Sequence, residues 1–96
     1  MKRADIYWAA LDPTIGTEIQ KTRPCVIISP DEMNRVLPRV IVAPVTSTLR
    51  DLPFRYRVRL GGQERNILLD QIRTLDKSRL TKKTRPPNRR RSNWAF

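Results

Sequence analysis

Between Phe54 and Leu60 the chain reads Phe-Arg-Tyr-Arg-Val-Arg-Leu, a strict alternation of apolar and basic residues. A β-strand turns successive side chains to opposite faces, so a period of two sets Phe54, Tyr56, Val58 and Leu60 against a core and Arg55, Arg57 and Arg59 on the other side. Gly61-Gly62 supplies a hairpin-type turn, and Asn66-Ile67-Leu68-Leu69-Asp70 returns as a further strand. A chain with this hairpin at its centre has to bury one face of a sheet.

Other segments supply partners for that hairpin. Asp5-Ile6-Tyr7-Trp8-Ala9-Ala10-Leu11 is apolar and aromatic, and it stops at the turn pair Asp12-Pro13. Residues 13–22 carry Gly16 and polar residues without a period, which predicts a loop long enough to serve function. Arg23-Pro24 leads into Cys25-Val26-Ile27-Ile28-Ser29, whose continuous apolar character predicts a central strand covered on both faces. Pro30-Asp31-Glu32-Met33-Asn34 has the Pro and acids of a single helical turn, and Val40-Ile41-Val42-Ala43-Pro44-Val45 is a third apolar strand with Thr46-Ser47-Thr48 at its end. Asp76-Lys77-Ser78-Arg79-Leu80 reads as a short helix start capped by Asp76. Short strands, turns and few helical stretches predict a mainly β domain over residues 1–80, a small barrel or rolled sheet. From Thr81 to Phe96, Pro86-Pro87 and Arg89-Arg90-Arg91 interrupt any apolar period, and the chain reads as a basic, disordered tail.

Charge narrows the partners. Twenty Lys and Arg stand against nine Asp and Glu, a formal +11. Residues 1–80 hold 14 of the bases and all nine acids, a net +5, and residues 81–96 hold six bases and no acid, a net +6. Body and tail both attract polyanions, with an affinity that falls as salt rises, although a solvated surface with a basic end accounts for the charge equally well. With no histidine and one cysteine, the chain has no His general base, no His-based zinc site and no internal disulfide. Cys25, in an apolar strand with nothing to activate it, reads as core. No apolar run reaches membrane-spanning length, and Asp5 precedes the first short apolar stretch, unlike a signal peptide, so a cytoplasmic protein is expected.

The order Asp5-Ile6-Tyr7-Trp8…Leu11-Asp12-Pro13-Thr14-x-Gly16-x-Glu18, then Arg23-Pro24-x-Val26-Ile27-Ile28-Ser29-Pro30, resembles the MazF/PemK messenger-RNA interferases, toxins of type II toxin–antitoxin systems. Ala43-Pro44-Val45-Thr46-Ser47 and Leu68-Leu69-Asp70-Gln71-Ile72-Arg73-Thr74-Leu75-Asp76-Lys77-Ser78-Arg79-Leu80 resemble that family's third strand end and late signature, in the same order. Each piece alone is common among unrelated proteins, whereas four in register over about residues 4–80 are specific. The resemblance implies the small SH3-like barrel shared with the CcdB gyrase poisons and a homodimer. It also implies a cognate acidic antitoxin, operator DNA bound together with that antitoxin, and cofactor-free, metal-independent cleavage of single-stranded RNA at a short motif.

In such cleavage the ribose 2′-hydroxyl attacks the adjacent phosphorus, so a proton must be taken, charge on the phosphate oxygens stabilised and the leaving oxygen helped. By resemblance, Arg23 and Thr46 match the catalytic pair of the MazF branch. The arginine offers a charged planar fork to the phosphate, and the threonine hydroxyl can bond a phosphate oxygen or the 2′-hydroxyl. The PemK branch uses an arginine and an aspartate two residues apart on the late strand; Asp70 keeps the acid, but Leu68 stands where the arginine would be. That favours the MazF-style pair and leaves Asp70 as a base or an RNA contact. Glu18, Ser47 and Gln71 occupy other positions able to touch RNA, and the outer face bearing Arg55 and Arg57 presents guanidinium groups about 6.6 Å apart, suited to an extended phosphate backbone. Structural roles compete with each of these. Arg23 serves equally as a salt-bridge residue at a strand start, Thr46 and Ser47 as strand-ending hydroxyls bonded to their own backbone, Asp70 as a cap or a partner of Arg73, and the arginines as a solvated face.

The chain departs from the family pattern in two places. Relatives finish with an apolar helix, which residues 81–96 cannot form, and Ala4 stands where many relatives carry glycine. Two further functional classes stay open at this point: a CcdB-like gyrase poison acting by contact, and a nucleic-acid-binding relative without turnover.

Overall fold

The computed structural model describes residues 1–84. Seven strands form: β1 (Ile6–Ala10), β2 (Thr22–Ile27), β3 (Arg39–Thr46), β4 (Arg55–Leu60), β5 (Gln63–Leu68), β6 (Arg73–Asp76) and β7 (Leu80–Lys83). One helix, α1 (Asp31–Val36), and two 3-10 turns, Leu69–Gln71 and Lys77–Arg79, complete the described residues. The sheet runs β4-β5-β3-β2-β1-β7 with β6 beside β3, and its pairings are antiparallel. This is the mainly β fold with short helices that the turn spacing predicts. No helix among the described residues is long and apolar enough to cross a membrane.

β3 organises the sheet because it serves three partners. Val42, Ala43 and Pro44 pair with β2, residues Arg39 to Val42 pair with β6, and Val45 and Thr46 pair with β5. Pro44, which has no N–H to give, falls between the last rung to β6 and the first rung to β5. β3 thus passes from β6 to β5 across Ala43 and Pro44, and each face of the sheet closes over a core. One core gathers Ile6, Val26, Ala43, Val45, Val58, Leu60 and Ile67, and the other gathers Ala9, Leu11, Cys25, Ile27, Val40, Val42 and Leu75. Neighbours along β2 and β3 go to different cores, so both strands are covered on two sides, as the unbroken apolar run of β2 requires.

Side-chain bonds fasten the connections. Asp76 caps the turn after β6 by accepting the Ser78 N–H at 2.9 Å. Buried Asn34 of α1 donates to the Ser29 carbonyl at 3.0 Å, and Ser29 Oγ accepts the Ile41 N–H at 3.1 Å, tying the helix to the β2–β3 connection. The guanidinium of Arg79 donates to the Ala10 and Asp12 carbonyls, and that of Arg73 donates to the Leu11 carbonyl, so the late segment clamps the end of β1.

Four expectations need correction. Phe54 lies just before β4 and is 48% exposed, so the buried side of that strand consists of Val58 and Leu60 with Tyr56 half-buried. The returning strand ends at Leu68, and Asp70 sits in a 3-10 turn rather than on the strand. Residues 73–76 form a strand that the sequence, with one apolar side chain in four, does not signal. Thr81, Lys82 and Lys83 belong to β7 and lie along β1, so the body of the fold extends past Leu80. The tail expected over residues 81–96 falls, from residue 85 onward, outside the described residues.

Candidate active site

Arg23 and Thr46 come from neighbouring strands. The β2–β3 ladder pairs Ile27 with Val42, Val26 with Ala43 and Cys25 with Pro44. Continued by two residues, the same register sets Arg23 across from Thr46. Alternation puts Arg23, Cys25 and Ile27 on one face of β2 and Val42, Pro44 and Thr46 on the matching face of β3. Cys25, Ile27 and Val42 of this set lie in the second core, and Arg23 and Thr46 stand at its end, where β3 leaves β2 for β5. Thr46 is 7% exposed, and its Oγ1 accepts the Thr48 N–H at 3.2 Å. That bond uses an acceptor position and leaves the hydroxyl proton free to donate. Half-buried Arg23 donates from Nε to the Gln20 carbonyl at 3.0 Å, which orients its guanidinium at the end of the loop.

A cleft of about 310 Å³ opens beside this face, lined by Glu18, Ile19, Pro44, Asp70, Gln71 and Arg73 together with Ile72. Three structural features build it. The loop after β1 folds over because Ile19 donates its N–H to Gln71 Oε1 at 2.8 Å, and Asp12 Oδ2 accepts the Lys21 N–H at 3.2 Å. Glu18 Oε1 accepts the Ile15 N–H at 2.7 Å, closing a tight turn within that loop. The 3-10 turn after β5 then presents Asp70 and Gln71 side by side. Pro44 belongs both to this cleft and to the face shared by Arg23 and Thr46, and so links the two.

The acids and bases of the site are paired in a particular way. Arg55 holds Asp70 through two bonds, Nε to Oδ1 at 3.2 Å and Nη2 to Oδ2 at 3.1 Å. Those hydrogen bonds, more than any other influence, draw the Asp70 carboxyl below its ordinary value. Arg57 is engaged elsewhere, 2.9 Å from Asp51 and 3.5 Å from Glu64 on the outer face of β4. The row of arginines read from the alternation is therefore not a row of free cations. Burial pushes the Cys25 thiol up to about 12, the opposite of an activated nucleophile.

Of the residues singled out in the sequence, Glu18, Asp70 and Gln71 meet in the cleft and Arg55 reaches it through Asp70, while Arg23 and Thr46 are not among its lining residues and connect to it through the face they share with Pro44. Ser47 is exposed in the turn that follows Thr46, and Arg57 stands apart. Arg73 was missed as a lining residue. Its only signal in the sequence was membership of the late signature, because its position in the cleft depends on β6 pairing with β3.

A family model described as the PemK-like, MazF-like toxin of type II toxin-antitoxin systems matches residues 2–90. The chain belongs to this family. Among curated MazF-like relatives, Endoribonuclease EndoA of Bacillus subtilis is 42% identical over 89 residues, covering 86% of this chain and 77% of the relative. Endoribonuclease MazF of Staphylococcus saprophyticus is 40% identical, covering 86% of this chain and 74% of the relative. The fold agrees with MazF from Deinococcus radiodurans at a TM-score of 0.77 and 28% identity, over 91% of this chain and 82% of that one. It also agrees with a mycobacterial endoribonuclease solved with its cognate antitoxin, at a TM-score of 0.78 and 21% identity, over 98% of this chain and 85% of that one. The motifs that suggested MazF and PemK in the sequence thus belong to a chain that is a member of that family along nearly all of its described length.

Proposed function

We propose that this chain is a toxin endoribonuclease that cleaves single-stranded RNA at the Arg23–Thr46 face, with the adjoining cleft taking a neighbouring nucleotide. The observation that supports the reading is the β2–β3 register, which continued from Cys25 and Pro44 sets an oriented guanidinium and a hydroxyl with its proton to donate on one face, the face whose Pro44 also lines a cleft of hydrogen-bonding side chains. Membership of a family whose curated relatives are named endoribonucleases supports it.

In the reaction the 2′-hydroxyl gives up its proton to water at the open side of the site as its oxygen bonds to the adjacent phosphorus, and the bond from phosphorus to the 5′-oxygen breaks as that oxygen takes a proton from water, leaving a 2′,3′-cyclic phosphate and a 5′-hydroxyl. Arg23 stabilises the charge that grows on the non-bridging oxygens, the largest contribution such a site makes. Thr46 donates to one of those oxygens and fixes the phosphate against the 2′-hydroxyl. Glu18, Asp70 and Gln71 offer the hydrogen-bonding groups that select the flanking base, and Ser47 lies within reach of the strand on the exposed side. The roles need no metal or cofactor. The protein acts in the cytoplasm as a homodimer and is held inactive by an acidic antitoxin, which its net positive body would attract.

The test is incubation of the purified chain with a long single-stranded RNA in EDTA, beside Arg23→Ala and Thr46→Ala. Wild type is expected to cut and both variants to fail. Equal cutting by all three overturns the site, and no cutting by wild type overturns the activity. Intact RNA together with inhibited gyrase supercoiling would instead establish the contact-poison reading.

A further inference from the structure

Asp70 faces the cleft, but its orientation is set from outside. Arg55 opposes Leu68 across the β4–β5 ladder, and two residues beyond Leu68 the 3-10 turn brings the Asp70 carboxylate onto the arginine fork. The fork binds both oxygens, with the arginine side chain 14% exposed and the aspartate 30%. The geometry points to Arg55 as a positioning residue that aims the Asp70 carboxylate at one nucleobase of the bound RNA. This rests on the RNA-cleaving function proposed above.

Three observations support the assignment. A carboxylate has lone pairs on both oxygens, so a two-pronged bond from Arg55 fixes the plane of the group and still leaves an acceptor position on each oxygen for the cleft side. Gln71, next in the chain, has its Oε1 occupied by the Ile19 N–H, so its amide NH₂ is the end left for a ligand. Acceptor and donor on consecutive residues complement a base edge that carries an N–H beside a ring or carbonyl acceptor, and Pro44 and Ile72 supply apolar surface for the base itself. Arg55 also cancels the charge of Asp70, which would otherwise repel a polyanion, while its hydrogen bonds keep the carboxyl ionised and acceptor-only at working pH. An arginine committed in this way is not a phosphate clamp, so it is expected to govern which base is read rather than how strongly RNA is held.

A randomised single-stranded RNA pool, digested by the full chain and sequenced at the cut ends, tests this. Asp70→Asn should flatten the base preference at one position relative to the cut. Arg55→Ala should flatten that same position, by about tenfold or more, the discrimination carried by one good two-pronged base contact, and leave the others alone. Arg55→Lys keeps the charge without the fork and should fall between wild type and Arg55→Ala; it carries the test if Arg55→Ala fails to fold. The double variant should be no less selective than Asp70→Asn alone. An Arg55 variant that keeps the preference, or that slows cutting equally at every sequence, overturns the inference while the nuclease reading stands. A wild type that cuts no RNA overturns both.

Discussion

The side-chain carbonyl of Asn66 accepts the backbone N–H of Arg50 at 2.8 Å, and Asn66 is itself the residue paired with Thr46 across the β3–β5 ladder. One buried amide, 1% exposed, therefore ties down the segment that leaves the candidate catalytic threonine. Asn66→Leu keeps the branched shape, though with a larger side chain, and removes the acceptor. It is expected to cost about 1–3 kcal/mol in urea unfolding, the penalty of an amide left without a partner. RNA cleavage measured well below the unfolding midpoint should fall as well, because the turn holding Thr46 loosens. Unchanged cleavage in a folded variant would show that the turn does not depend on Asn66.

At the proposed catalytic pair, Arg23→Ala should lower RNA cleavage by about 10²–10³-fold, the usual loss on removing a donor that stabilises transition-state charge. Arg23→Lys should recover only part of it, since a point charge does not reproduce a planar fork. Thr46→Ser should stay active and Thr46→Val should not. Single-turnover rates on one RNA, with circular dichroism to show intact folding, check all four variants. A fully active Thr46→Val would remove the hydroxyl from the mechanism.

Ala4 has a φ of 76° while donating its N–H to the Ile27 carbonyl at 2.7 Å. A side chain is strained in that left-handed region by about 1–2 kcal/mol, and glycine is not. After the entropy that glycine adds to the unfolded chain, Ala4→Gly is expected to stabilise the protein by about 0.5–1 kcal/mol, a rise of a few degrees in melting temperature. An equal or lower melting temperature in a thermal scan would refute this.

Cys25 is buried in the second core, with its thiol pushed up to about 12 by burial, only partly offset by the charge of Arg73. It should resist a thiol reagent in the native protein and react once the chain is unfolded in urea. The unfolded thiol ionises near its ordinary 9.0, whereas the folded one keeps its proton to about 12. Its contribution to stability is thus complete below pH 9 and is lost as pH rises from 9 to 12. The unfolding free energy of wild type should fall towards that of Cys25→Ala over that window, and a constant difference would contradict the burial of the thiol.

Legibility in the sequence followed the strength of the local pattern. β2 and β3 were readable because unbroken β-branched runs admit little besides a strand covered on both sides, and the Asp76 cap because it acts within two residues. Phe54 misled because a period of two says which residues share a face, not where the strand begins. β6 and β7 were not visible: Arg73-Thr74-Leu75-Asp76 and Leu80-Thr81-Lys82-Lys83 each hold a single apolar residue, and they become strands by pairing with β3 and β1. The partner of Asp70 was not visible either. Arg73 lies three residues away in the chain, yet the β4–β5 hairpin delivers Arg55 from fifteen residues away.

By itself, the order of residues determined the sheet-forming segments, the two-sided burial of the central strands, the absence of histidine chemistry and the candidacy of Arg23, Thr46, Glu18 and Asp70. The first three live in neighbours along the chain, where side-chain period and residue type are enough, and the candidacy rests on the resemblance of four motifs in register to a known family. Only the tertiary structure decided that Arg23 and Thr46 share a face, that Arg55 belongs to Asp70 and not to the solvent, and that Arg73 enters the cleft. Each of these depends on which strands pair and in what register, and that is settled by burying two apolar faces at once, a condition no local stretch of sequence can express.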